Sequence, residues 1–460
     1  MSDRAASKII PWIIAIGMFM EFLDVSIITT AIPSMAESFK INPIDLKFAL
    51  TSYLLSLALF IPISGFVADR WGTQRTFIAA LFLFTLSSVG CGSAHSLSEL
   101  VIARILQGMG GAFMMPVGQL IVMRAFPKSD IVRVRTFISM PGLFGPLLGP
   151  VIGGFITTYY SWPWIFYINV PVGILGILFS LRYIKNYTQE AKAPFDWIGF
   201  LLFGFSLAGL FFVIESIHQP FIPDFVVVLF ALASAIGFYC YFQHYKKKEN
   251  PVLRLKLFLK RTFSVAALGN FLTRPGVSSV FFLFPLLLQI GYGLSPLVSG
   301  LLICSRPLGM LMTKTIGRHL LHRLGFRTLL ITSSLLSALS IFSFALIEKV
   351  DITLIITLGI LNGMIISPLF TGLSNLYYAD ITTPDASQTT SISSTIQQFS
   401  TGLGVTLCAL ILEFFNGWNQ PLKLDDPFPF QWTFVIVGAL ALLSVPVFFK
   451  LKPSDGRGMI

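Results

Sequence analysis

About fourteen runs of roughly 20 apolar residues follow one another along this chain, most of them separated by short gaps, and each is long enough to cross about 30 Å of hydrocarbon as a helix. They centre near Gly17, Leu57, Phe84, Gly110, Phe144, Gly173, Leu207, Ala233, Pro275, Cys304, Leu335, Gly363, Gly402 and Gly438. The runs are continuously apolar and do not alternate, which excludes the strands of a membrane barrel. Helices satisfy their own backbone groups in lipid. The expected fold class is an all-α polytopic membrane protein. Composition agrees, with 55% hydrophobic and only 12% charged residues in 460, far from a soluble domain.

Basic residues mark alternate gaps. Arg70 and Arg75 fall in one, Arg124, Lys128, Arg133 and Arg135 in the next but one. By the positive-inside rule these gaps are cytoplasmic. The same side takes Arg4 and Lys8, Arg182, Lys185 and Lys192, the stretch from Lys246 to Arg261, the group Lys314, Arg318, Arg323 and Arg327, and Lys450, Lys452 and Arg457. Only Lys40, Lys47, Lys349 and Lys423 fall outside, and Arg104, Arg274 and Arg306 fall within the membrane. An even number of spans puts both termini in the cytoplasm, in a multi-pass protein of the cell inner (plasma) membrane. The net charge of +11 is then first a topology signal. The stretch from Lys246 to Arg261 lies between two spans and needs anionic lipid headgroups, not nucleic acid, as its partner. The first run contains Glu21 and Asp24 and lacks a small-residue cleavage site, so it is expected to stay as a helix.

Other chemistries find little support. Cys91, Cys240, Cys304 and Cys408 are scattered through apolar segments without metal-like spacing and read as small core residues. His95, His218, His244, His319 and His322 are dispersed over both sides of the bilayer, so no ligand cluster or nucleophile constellation of an enzyme emerges. No glycine loop that would cradle a phosphate is present. No cofactor is expected.

A weak internal repeat organises the spans. Asp69-Arg70-Trp71-Gly72 with Arg75 joins helices 2 and 3, and His322-Arg323-Leu324-Gly325 with Arg327 joins helices 10 and 11. The copies match if helices 9 to 14 repeat helices 1 to 6, with helices 7 and 8 inserted. Residues 1–187 then form one six-helix bundle, 188–250 the inserted pair and 251–460 the second bundle. Parallel repeats of this kind build many secondary transporters, with substrate held between the halves near the midplane.

At this point the chain resembles the major facilitator superfamily and, within it, the fourteen-span drug:proton antiporters, over essentially its whole length. Leu23-Asp24 before Ala31-Ile32-Pro33 is similar to the family's first-helix signature, and Gly65-Phe66-Val67-Ala68-Asp69-Arg70-Trp71-Gly72 to the superfamily's cytoplasmic motif. Arg104-Ile105-Leu106-Gln107-Gly108 with Gly110 and Gly111 resembles the motif linked to proton transfer. Gly145-Pro146, Gly149-Pro150 and Gly153-Gly154 resemble the antiporter motif, and Trp162-Pro163-Trp164-Ile165-Phe166 before Asn169-Val170-Pro171 completes the set. The resemblance implies a major facilitator fold, two six-helix bundles plus two inserted central helices. Thr73 and Gln74 stand where the cytoplasmic motif is usually more basic, Pro163 replaces a usual basic residue, and Glu21 is an extra acid.

The motif residues have physical readings of their own. Glu21 and Asp24, three apart, share a helix face, and two carboxylates in a low-dielectric site do not both stay ionised cheaply. A proton carrier needs this, although a pair permanently neutralised by arginine would only hold helices together. Arg104, Arg274 and Arg306 must face the interior, since each costs about 2.5 to 3.5 kcal/mol against lipid. Arg104 is the candidate to gate protonation of Asp24. Arg274, one turn after Asn270, and Arg306 either line the substrate cavity or cap carbonyls beside Pro275 and Pro307. Gly142, Gly145, Gly149 and Gly153 make one small helix face for close packing, with Pro146 and Pro150 bending a dry seal. Asp69 and Arg70 are expected to latch onto a basic side chain or a helix end of the other bundle. Gln119, Gln289, Asn362, Asn375, Gln397 and Gln398 either line the cavity, for which Asn362 and Gln398 are taken with Glu21, or bridge helices.

The leading expectation is a monomeric exporter that moves a small molecule against an inward proton, by alternating access. A driving force of about 150 mV supplies about 3.5 kcal/mol per proton. Lipophilic cations suit Glu21 and Asp24. An organic anion or metal chelate suits three embedded arginines against two acids. A transport-inactive membrane sensor is the remaining alternative.

Overall fold

The computed structural model describes the chain except residues 1, 189–193, 218, 220–221, 382–384, 418–419, 421, 424–425 and 457–460. Lys192, His218 and Arg457 lie outside the described residues, as do the side chains of Arg4, Lys8, Lys128 and Arg318.

Thirteen helices among the described residues are long and apolar enough to cross a membrane. The remaining expected span, around Phe144, is the helix Pro141–Tyr159, whose 19 residues carry no charge. In chain order the spans are α1 (Ile9–Thr30), α2 (Pro43–Trp71), α3 (Thr73–Gly92), α4 (Leu97–Ala125), α5 (Pro141–Tyr159), α6 (Trp164–Tyr183) and α7 (Trp197–Glu215). They continue as α8 (Asp224–Lys247), α9 (Arg261–Gly291), α10 (Pro296–Lys314), α11 (His319–Phe344), α12 (Ile352–Leu376), α13 (Ala386–Asn416) and α14 (Phe428–Phe448). No strand occurs among the described residues. The protein is a multi-pass, all-helical membrane protein. With fourteen spans, α1 begins and α14 ends on one face, here the terminal face; the opposite one is the far face.

The first six spans pack mainly on one another, α1 against α5 and α6 and α4 against α2 and α3. The last six do the same, α9 against α13 and α14 and α12 against the α10 and α11 segment. The seams between the two groups are α2 on α13 and α5 on α10. The inserted α7 touches both α2 and α13, whereas only 11% of the apolar window of α8 is buried, leaving that helix to face lipid.

The apolar core shows which end is closed. At the far face one cluster runs through both groups, joining Ile27, Ile32, Leu50 and Phe166 to Leu283, Leu287, Phe344 and Val405. In the terminal half each group has its own cluster, around Phe77, Phe84 and Val117 in the first and Phe263, Leu330 and Leu373 in the second. Burial of shared apolar area thus holds the far ends together.

The repeat seen in the sequence has a backbone counterpart. Gly72 and Gly325, matched by the short repeat, both take positive φ, 96° and 71°. Side-chain-bearing residues avoid that region, and glycine allows the chain to reverse there. At the first turn the chain beyond α6 clasps the glycine: Thr73 N–H donates to Tyr187 O (3.0 Å), Gln74 N–H to Asn186 Oδ1 (3.2 Å), and a Cβ on Gly72 would collide with Asn186.

Candidate functional site

Asp24 sits on α1 with no exposed surface, and α3, α4 and α6 build a polar network around it. One carboxylate oxygen is ion-paired with Arg104 Nη1 from α4. The other accepts from Gln107 Nε2 (2.8 Å), also on α4, and from Asn169 Nδ2 (3.0 Å) on α6. Gln107 and Asn169 both reach Ser88 Oγ of α3, at 2.9 and 3.4 Å. Arg104 is fixed in turn: Nε donates to the carbonyl of Ala49 on α2 (3.1 Å), Nη1 donates to Gln107 Oε1 (2.6 Å), and the guanidinium lies 4.1 Å from the centre of the Tyr53 ring. A buried charge pair is tolerable only with its remaining lone pairs and protons satisfied. Asp24 meets that condition with three partners, while Arg104 Nη2 stays without a hydrogen bond among the described residues.

Glycines of α5 bring this site close to the seam. Ser26 Oγ donates to Gly145 O (2.9 Å), and a Cβ on Gly145 would come within 2.9 Å of Leu23 N. Cβ atoms on Gly149 and Gly153 would run into Ser26 Oγ and the Ile27 carbonyl. The opposite side of α5 meets the second group: a Cβ on Gly154 would strike the Pro296 carbonyl, one on Gly300 the Pro150 carbonyl, and the Cys304 thiol donates to Leu147 O (2.7 Å). One helix, with Pro146 and Pro150 inside it, therefore touches both the back of the Asp24 segment and α10.

The profile of the Major Facilitator Superfamily matches residues 14–245 and 266–458. That covers most of the chain. The chain belongs to the Major Facilitator Superfamily. It is 36% identical over 455 residues, 98% of this chain and 96% of the other, to a Salmonella paratyphi B protein that carries a provisional name as multidrug resistance protein MdtD. Among solved structures it resembles a bacterial homologue of the human lysosomal transporter Spinster in an inward-facing, occupied conformation (TM-score 0.70, 13% identity, 96% of each chain). It also resembles a D-xylose-proton symporter (TM-score 0.68, 15% identity, 98% of each chain). These likenesses concern the fold. As a facilitator the protein is a membrane transporter, not an enzyme.

The facilitator's other expected site residues separate into distinct places. Glu21 is buried one turn from Asp24 but outside its network, and its Oε2 has no hydrogen-bond partner among the described residues. On the other group, Arg274 Nε donates to Asn270 Oδ1 (3.0 Å), Asn270 Nδ2 to Tyr377 OH (3.3 Å), and the guanidinium lies 4.3 Å from the Phe370 ring centre. Arg306 Nη2 caps the Val277 carbonyl (2.9 Å). Both arginines are half-buried, and neither has a carboxylate partner among the described residues. Asn362 is fully buried and donates to Ser340 Oγ (2.8 Å), so it bridges α12 to α11, whereas Gln398 is half-buried on α13. Gln289 bridges the groups, donating to the Thr30 carbonyl (3.2 Å).

Asp69 pairs with Arg124 of α4, within its own group, while the terminal halves of the two groups keep separate cores; the expected latch to the other bundle belongs to the outward-facing state. Arg70 and Arg75 are exposed beside it, and nothing comes within 4 Å of a Cβ on Gly65. Lys47, read as an outer-side lysine, stands near the far-face end of α2 but is fully buried there. Cys240 is exposed on the lipid-facing α8, while the other three cysteines are buried. Sequence reasoning also passed over two buried acids, Glu215 and Glu413, so acids and bases within the helices are closer to balance than three arginines against two acids.

Proposed function

We propose that this facilitator is a proton-coupled exporter of small organic molecules, working by alternating access in a cell inner (plasma) membrane with the terminal face in the cytoplasm. The observation that carries the reading is the buried Asp24, held by Arg104, Gln107 and Asn169 behind a glycine-lined helix that also forms the seam. A proton added to Asp24 removes its negative charge. The ion pair dissolves, and Arg104 is left on the Ala49 carbonyl, Gln107 and the Tyr53 ring. Because α5 packs on Phe22, Leu23, Ser26 and Ile27 and also on α10, a change at Asp24 is felt directly at the seam. The shared apolar cluster at the far face and the separate clusters on the terminal side support a state open toward the cytoplasm, the one in which an exporter loads its cargo. Basic residues crowding the terminal face support that orientation.

The relatives named for multidrug resistance favour lipophilic organic substrates. A second reading, an anionic metabolite or metal chelate, rests on Arg274 and Arg306, whose charges no carboxylate neutralises among the described residues. Purified protein in vesicles with an imposed pH gradient tests the proposal. Uphill movement of a cationic dye or an organic anion, with proton flux in the opposite direction, is the expected result. Substrate movement that ignores the gradient would remove the coupling, and proton flux without any substrate dependence would remove the antiport.

A further inference from the structure

Asp196 stands just before α7, is buried, and is held by three parts of the chain. Its Oδ1 caps the helix by accepting from Gly199 N–H (3.0 Å) and is joined to His244 Nε2 in the last turn of α8 (2.6 Å). Its Oδ2 accepts from Val252 N–H (3.4 Å), at the start of the segment that leads into α9. Two tyrosines of α8 grip the same segment: Tyr241 OH donates to Leu253 O (3.4 Å), and Tyr245 OH accepts from Lys256 N–H (3.1 Å). That segment is in turn fixed to the second bundle. Arg254 pairs with Asp385 (2.9 Å), its backbone N–H donates to Gln388 Oε1 (3.3 Å), and Lys260 Nζ donates to Asp380 O (2.8 Å). Val252, Leu253 and Leu257 belong to the apolar cluster of that bundle, and Phe195, Phe200 and Phe203 pack against it. The far end of α7 is tied to the same bundle, because Glu215 Oε1 accepts from Thr406 Oγ1 of α13 (2.6 Å). Thr51 of α2 also faces Glu215, but its hydroxyl proton goes to the Lys47 carbonyl (2.8 Å). Toward the first bundle the contacts are rings: Phe195 meets Phe66 (4.8 Å between ring centres) and Phe200 meets Phe60 (6.1 Å).

We infer that the inserted pair α7 and α8 rides with the second bundle, clamped by Asp196 with His244 at the terminal face and by Glu215 with Thr406 at the far face, so that the sliding boundary runs between α7 and α2. Directional bonds of buried groups do not survive a slide, since each parted donor or acceptor would stay out of water without a partner. Ring and methyl contacts have no fixed partner and can be exchanged for neighbours as packed helices shear. The directional bonds named above hold α7 and α8 to the second bundle, and the slidable contacts face the first. The consequence falls on the seam. Leu207 and Phe211 of α7 pack beside Ala58 of α2 and Phe399 of α13, across the line where the bundles part. Carried by α13, α7 keeps that line covered from lipid while α2 moves beneath it. Asp196 is in this sense a positioning residue. The inference rests on the proposal that the bundles open and close, and it is independent of which carboxylate carries the proton.

Spin-label distances in the full chain in nanodiscs test it. Arg182→Cys on α6, Lys247→Cys on α8 and Lys450→Cys after α14, all exposed at the terminal face, carry the labels in pairs, in Cys240→Ser protein whose other cysteines are buried. Between inward-open and outward-open conditions, set by pH and substrate, the 182 to 450 and 182 to 247 distances should change together by several ångström while the 247 to 450 distance holds. A 247 to 450 distance that changes with the cycle overturns the inference. A 182 to 450 distance that never changes defeats the alternating access instead, and the clamp is then read within one state. There, Asp196→Ala combined with Thr406→Val should broaden the 247 to 450 distribution about twofold and leave 182 to 450 as in the native protein. An unchanged distribution overturns the clamp. Should that variant fail to purify, His244→Phe, which keeps a ring and removes the bond to Asp196, should broaden the same distribution, and no broadening overturns the terminal-face half of the clamp.

Discussion

The carboxylate of Asp24 on α1 reaches the guanidinium of Arg104 on α4, and neither side chain exposes any surface. Breaking such a pair by removing one partner strands the other charge, which typically costs about 3 to 5 kcal/mol. The same dependence makes the pair a natural place to convert a proton into a movement. Protonation neutralises one partner without removing its hydrogen-bonding shape.

Asp24→Asn keeps that shape and cannot cycle a proton. Uphill transport driven by a pH gradient should fall to background, while the protein still inserts and purifies as a monodisperse species. Exchange down a substrate gradient should survive. Undiminished uphill transport by this variant would take Asp24 out of the mechanism.

Arg104→Ala should be as severe for a different reason. The ionised carboxylate then lacks its counter-ion in a site without water-exposed surface, and proton release to the cytoplasm should fail. Arg104→Lys keeps the charge but cannot reach the Ala49 carbonyl, Gln107 and Asp24 together with a planar fork. Its proton-coupled rate should lie between the two, on the order of tenfold below the native protein. An active alanine variant would sink the gating role.

Much of this arrangement was legible in the chain because membrane helices carry strong signals. Apolar runs gave the spans, and the spacing of Gly145, Gly149 and Gly153 gave a small face that the structure packs on α1. The short repeat around Gly72 and Gly325 proved to mark two reversals with positive φ. Sequence spacing does not tell which partner a buried polar group finds across helices. Gln107 and Asn169 lay inside recognisable motifs with no assigned role, and Ser88 and the Ala49 carbonyl carried no signal at all, yet all four build the site. The burial of Lys47 was missed for a related reason. A charge near the end of an apolar run reads as an outer-side residue, and its full burial is not encoded in that spacing.

Gly153→Ala should stiffen or separate the α1 and α5 contact, because the added methyl meets the Ile27 backbone carbonyl, which has no rotamer to escape into. Overpacking of this kind typically costs about 1 to 3 kcal/mol. Thermal unfolding in detergent should report a lower midpoint, and transport should drop further than Gly65→Ala, where the methyl meets nothing. Equal behaviour of the two variants would deny the α5 groove a role.

Glu21→Gln should leave proton coupling largely intact, since Glu21 stands outside the Asp24 network. Its effect should be on substrate choice, with cationic dyes weakened more than neutral ones. Complete loss of proton flux and of every substrate would show that the two acids act as one unit.

The sign of the substrate charge falls to Arg274 and Arg306. Arg274 is oriented by Asn270 and Phe370, and Arg306 by the Val277 carbonyl, so each presents a positive charge without an acid of its own among the described residues. If the cargo is an organic anion, at least one of them donates charge-assisted hydrogen bonds to it. Replacing that arginine with glutamine should then weaken anion binding by about 1.5 to 3 kcal/mol. If the cargo is a lipophilic cation, the same change removes a like charge and should leave affinity equal or improved. Binding of one anion and one cation to Arg274→Gln and Arg306→Gln, measured by titration calorimetry on purified protein, separates the cases. Cation affinity lost with anion affinity untouched would contradict both, and would leave the two arginines with the single task of holding α9 against α12 and α10.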